Sequence, residues 1–198
     1  MSKRKNIIIL VLVFVLRIGG ASVLYTQLSK NDAPDRLLIH GKQNKNDNES
    51  QSSGTGDTEE KLTKAPDFTV SDASGNKVNL SDYVGKPIVL NFWASWCGPC
   101  QSEMPDFHEK YLESGNKIHF LMVNMTGGRE TLSSAKAFIS EKRYTFPVFY
   151  DTDSDAAMTY NVYSLPTTYF IDAEGHLVAQ ATGAISADTL QRGIDMIK

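Results

Sequence analysis

Trp96-Cys97-Gly98-Pro99-Cys100 constrains this chain more than any other stretch. It holds both of the chain's cysteines, two residues apart, directly after the apolar run Pro87 to Ala94, which reads as a buried strand. Cys-x-x-Cys between a strand and a helix is a dithiol redox arrangement, because the spacing lets the two sulfurs close a small ring. Cys97 falls at the helix N-terminus, where unpaired N–H groups and the positive end of the dipole stabilise a thiolate. Cys100, one turn in, is the less exposed partner and suits a resolving role. Pro99 fits the first turn, where its missing N–H is no loss. A structural disulfide is a poor competitor, since so short a loop removes little entropy from the unfolded chain. Half a zinc site would need a second ligand pair, and His40, His108, His119 and His176 are scattered.

Around this motif the 198 residues leave room for one domain with appendages. Residues 65–198 carry 10 Lys/Arg against 16 Asp/Glu, a net charge of about −6 that argues against a nucleic-acid partner. Residues 1–29 read as a signal-anchor. Lys3-Arg4-Lys5 precedes ten apolar residues, Ile7 to Leu16, and apolar character resumes through Leu28. The competing reading is a cleaved signal peptide with Gly19-Gly20-Ala21 as its cleavage site. Either way the basic flank stays inside. The expected location is therefore the cell membrane, single-pass, with the catalytic domain extracytoplasmic, or secretion if the segment is cleaved. Residues 30–64 lack aromatics and read as a flexible polar linker. Its one apolar spot, Leu37-Leu38-Ile39, is expected to lie near the membrane surface.

Residues 65–198 read as one α/β domain. Phe68 and Val70, a turn at Ala73 to Asn76, then Val78 and Leu80 make an N-terminal strand and hairpin extension. The redox helix runs to about Ser114-Gly115, with Pro105 as an expected kink. Ile118 to Asn124 and Val148 to Tyr150 read as core strands. Leu132, Ala135, Phe138 and Ile139 form the inward face of a helix. Thr167 to Ile171 and Leu177 to Thr182 flank a hairpin turn at Asp172 to Gly175. Ser186 caps a last helix with Leu190, Ile194 and Ile197 inward. The expected product is a central mixed β-sheet flanked by helices, with the dithiol at the carboxyl end of its central strand, where open sheets place their chemistry.

Several separated motifs, in order, carry a family resemblance. They are Ala65-Pro66-Asp67-Phe68, Asn91 through Cys100, Glu103-Met104-Pro105, Leu165-Pro166-Thr167-Thr168, and Phe170-Ile171-Asp172 with Gly175. From Ala65 to Lys198 the chain resembles the thioredoxin superfamily, in particular its membrane-anchored, extracytoplasmic ResA/TlpA-like thiol-disulfide oxidoreductases. The resemblance implies a thioredoxin-like fold and a redox-active Cys97–Cys100 disulfide, with Cys97 attacking and Cys100 resolving. It makes Pro166 a cis-proline against the dithiol, in a substrate groove lined by Trp96, Gly98, Pro99, Leu165 and Thr167. Glu103 matches a helix carboxylate that exchanges a proton with Cys100; the plain reading is a solvated surface glutamate. Asn91 stands where cytoplasmic thioredoxins carry a buried aspartate, so a proton-handling group must come from elsewhere.

The expected activity is reduction of protein disulfides by exchange, with protein thiols and disulfides as substrates and a membrane electron-transfer partner as donor. A monomer is expected, with no cofactor beyond the cysteine pair and no metal. The same dithiol run backwards would oxidise secreted proteins. Two further readings are a peroxiredoxin-type peroxidase and a copper-binding assembly factor that would add His119 or His176 to the two cysteines.

Overall fold

The computed structural model describes residues 36–40 and 62–198. The expected signal-anchor and most of the linker lie outside the described residues. Among the described residues no helix is long and apolar enough to cross a membrane.

Eight strands form one mixed sheet: β1 (Leu38–Ile39), β2 (Thr69–Ser71), β3 (Lys77–Asn79), β4 (Ile88–Trp93), β5 (His119–Asn124), β6 (Val148–Tyr150), β7 (Thr167–Ile171) and β8 (Leu177–Thr182). Their spatial order is β1-β8-β7-β4-β5-β6-β2-β3. The helices are α1 (Gly98–Ser114), α2 (Leu132–Lys142), α3 (Asp155–Thr159) and α4 (Ala187–Met196).

β4 is central because it is apolar throughout apart from Asn91 and buried at every position. It runs parallel to β5 from Ile88↔His119 to Trp93↔Asn124, and antiparallel to β7 from Ile88↔Ile171 to Phe92↔Thr167. Alternation along β4 divides the core. Val89 and Trp93 join a cluster with Cys97, Cys100, Met104 and Phe107 of the redox turn and α1, and with Leu190 and Ile194 of α4. Ile88, Leu90 and Phe92 join the opposite cluster with Phe68, Leu80 and Tyr160. The sheet is therefore covered on both faces, and the predicted thioredoxin-like architecture is present.

Two local features differ from the sequence reading. Leu38–Ile39 pair antiparallel with Gln180 and Ala179 of β8, and Leu37 packs against the core, so this apolar spot extends the domain's own sheet. Downstream, Thr63 accepts a hydrogen bond from Leu177 N–H, and Lys64 bridges to His176. Leu132, expected inward, is 41% exposed. It is the first residue of α2, ahead of the turn whose Ala135 and Phe138 reach the core.

Candidate functional site

The site is assembled where β4 hands over to α1. Cys97 is the N-cap of α1 and Pro99 lies in the first turn, so the helix starts at the motif itself. The Cys97 Sγ accepts the Cys100 N–H at 3.2 Å, one of the donors a helix start leaves unpaired. Cys97 and Cys100 are joined by a disulfide with their Cα atoms 5.2 Å apart. Cys100 is fully buried, and Cys97, 5% exposed, lines a groove of about 590 Å³. Trp96, Gly98, Pro99 and Leu165 line the same groove.

The Leu165–Pro166 peptide is cis. The Pro166 carbonyl accepts the Gly183 N–H at 2.8 Å, and the Thr167 hydroxyl donates to the Ser164 carbonyl at 2.7 Å. Both Pro166 and Thr167 are buried behind Leu165. The groove thus brings together Trp96, Cys97, Gly98, Pro99 and Leu165 of the predicted set. Pro166 and Thr167, both buried, are not among the residues that line it.

Glu103 is not a solvated helix glutamate. It is 2% exposed, on the face of α1 that carries Cys100 one turn earlier. Its Oε1 accepts the Asn91 Nδ2–H at 2.8 Å and its Oε2 accepts the Ile185 N–H at 3.0 Å. Burial pushes its pKa up to about 8; the hydrogen bonds from Ile185 and Asn91 pull the other way without offsetting it. Asn91 Nδ2 also donates to the Thr168 hydroxyl at 3.0 Å, which leaves the buried Asn91 Oδ1 without a partner. Turning the amide over would present that oxygen to a protonated Glu103, so Asn91 can serve both charge states of the carboxyl.

Sequence reasoning missed three contributors. Tyr163, 91% exposed, stands on the groove with Val162 and Met125. Glu130, buried in the β5–α2 loop, accepts the Ser95 N–H at 2.6 Å and the Ser95 hydroxyl at 2.9 Å. The Arg129 guanidinium carbon lies over the Trp96 ring, 4.7 Å from its centroid. Only Gly127-Gly128 marked that loop in the sequence, and a turn signal says nothing of what the loop touches. Among the described residues no three His, Cys, Asp or Glu side chains cluster as metal ligands.

Residues 62–180 match the model of the AhpC/TSA family. The thiol-disulfide oxidoreductase ResA of Geobacillus kaustophilus (strain HTA426) is 38% identical over 135 residues, covering 68% of this chain and 76% of that protein. The thioredoxin-like protein YneN of Bacillus subtilis (strain 168) is 35% identical, over 67% of this chain and 78% of its own length. The exposed lipoprotein thioredoxin of Streptococcus pneumoniae strain TIGR4 superposes with a TM-score of 0.59 at 34% identity, covering 66% of this chain and 98% of that one. With its fold, its disulfide at the start of α1 and these relatives in agreement, the chain belongs to the AhpC/TSA family and stands among its ResA-like thiol-disulfide oxidoreductases.

Proposed function

We propose that this protein is a thiol-disulfide oxidoreductase that reduces protein disulfides through Cys97 and Cys100. The observation that carries the reading is a disulfide whose outer sulfur caps a helix in an open groove, while its inner sulfur is buried one turn from a carboxyl of raised pKa. In the reduced protein the N–H groups at the start of α1 favour the Cys97 thiolate. That thiolate attacks one sulfur of a substrate disulfide, forming a mixed disulfide and expelling the other sulfur as a thiolate. Cys100 gives its proton to ionised Glu103 and attacks the Cys97 sulfur. The Cys97–Cys100 disulfide closes, the second substrate thiolate leaves, and the proton on Glu103 returns to solvent or product. Two electrons pass from protein to substrate. The cysteine pair is the redox group.

The Gly98-Pro99 spacer is the pair found in thioredoxin, a reductant at about −270 mV, which favours reduction over oxidation. The protein left oxidised then needs an electron donor. The sequence of residues 1–29 supports a membrane anchor ahead of an extracytoplasmic catalytic domain, so a membrane-resident donor fits best. The domain acts as a monomer in this reading.

Reduction of insulin disulfides by the dithiothreitol-reduced full chain tests the activity. The wild type is expected to react and Cys97→Ser to be inert. Cys100→Ser is expected to stop at a mixed disulfide visible by mass. Equal turnover by wild type and Cys97→Ser would refute the reading.

A further inference from the structure

The loop Gly127–Glu130 is fastened to the redox turn, yet the exchange chemistry makes no use of it. Gly127 and Glu130 bond each other through both backbone pairs, Gly127 N–H to Glu130 O at 2.9 Å and Glu130 N–H to Gly127 O at 3.0 Å. This tight turn is possible because Gly128 adopts φ +55 and Gly127 φ +151. Glu130 is 2% exposed. Besides its two bonds from Ser95, its Oε1 accepts the Ser134 hydroxyl at 2.7 Å. A buried carboxylate with three donors is a rigid clasp, and it grips the residue two before Cys97. Glu130 is therefore a positioning residue.

What the clasp presents is Arg129. Its guanidinium covers the exposed ring of Trp96, the residue before Cys97 and a wall of the groove. Among the described residues Arg129 has no hydrogen bond and no carboxylate partner. Lys77, Lys110 and Lys198, by contrast, are paired with Asp153, Glu113 and Asp195. The ring contact holds the guanidinium in place while its N–H fork, with no partner among the described residues, stays available. That fork matches a carboxylate. The residues lining the groove include no charged side chain, so Arg129 supplies the charge at its rim.

We infer that Arg129 is a specificity-determining residue, which selects substrate polypeptides carrying an acidic residue beside the cysteine that enters the groove. This rests on the thiol-disulfide exchange proposed above. The surrounding domain is net acidic and repels such a polypeptide at long range. The selection is therefore a contact effect of the Arg129 guanidinium, and it must reverse when that charge is reversed.

The test uses the reduced full chain and two synthetic peptides, each closed by one intrachain disulfide and identical except for aspartate or lysine on both sides of the first cysteine. The readout is the ratio of their second-order reduction rates, which cancels any general loss of activity in a variant. Wild type is expected to favour the aspartate peptide by about 3- to 5-fold, the scale of an exposed charge pair, with the preference shrinking in high salt. Arg129→Lys should keep part of it, Arg129→Ala should bring the ratio to one or below, and Arg129→Glu should invert it. A wild-type ratio of one or less, or a wild-type preference persisting in Arg129→Ala, overturns the assignment while leaving the exchange reading intact. If wild type reduces neither peptide, the exchange reading fails and takes this inference with it.

Discussion

Glu103 is the residue whose charge state the fold controls most directly. Its carboxyl titrates near 4.5 when exposed and at about 8 in the folded protein. Between those values the folded state holds a proton that the unfolded state has lost, so stability falls as pH rises across that window. Denaturant titrations of wild type and Glu103→Gln at several pH values are expected to show wild type losing stability relative to the variant from about pH 4.5 to about pH 8. A constant difference would mean that Glu103 ionises as freely as a surface carboxylate. The same substitution should remove the inflection near pH 8 in the resolution step, because the new amide cannot take the Cys100 proton. An unchanged pH–rate curve would remove Glu103 from the mechanism. Cys97 and Cys100 are legible from their spacing alone, whereas Glu103 is legible only through the family resemblance, because a helix glutamate by itself reads as solvated. Arg129 and Tyr163 are not legible, because they reach the groove from loops 32 and 66 positions away from Cys97 by residue number, and no local pattern encodes that approach.

At the scale of elements, the strands and helices followed from periodicity wherever one face is buried against the other. The last helix, α4, is the cleanest case: Leu190 and Ile194 reach the core and the Ser186 side chain caps the first turn by accepting the Thr189 N–H at 3.2 Å. Periodicity does not reveal how closely such an element approaches its neighbour. Gly193 shows how close α4 lies to β7, since a Cβ there would fall 2.2 Å from the Phe170 ring. Gly193→Ala is therefore expected to destabilise the domain by about 1–3 kcal/mol through overpacking, despite alanine's better helix propensity. A denaturation midpoint equal to or above that of wild type would contradict this packing. β1 escaped the sequence reading for a different reason. Two residues are too few for a period, and its pairing with β8 joins positions about 140 residues apart.

For the whole molecule, pairing of β4 with β7 brings the turn that follows β4 and Leu165, of the cis Leu165–Pro166 peptide, to line one groove. Glu103 ties α1 to the chain that holds Pro166. It accepts from Ile185 in the β8–α4 connection, whose Gly183 donates to Pro166. The family motifs made this assembly readable from sequence as an expectation, whereas composition alone reached only a mixed α/β domain. The assembled dithiol is proposed to be a reductant. The most direct measurement is the reduction potential of the Cys97–Cys100 pair in the full chain, equilibrated against dithiothreitol and glutathione buffers. A reductant of this kind is expected near or below about −250 mV, close to thioredoxin. A value near about −120 mV, that of a strong oxidant such as DsbA, would contradict it and make the protein a donor of disulfides.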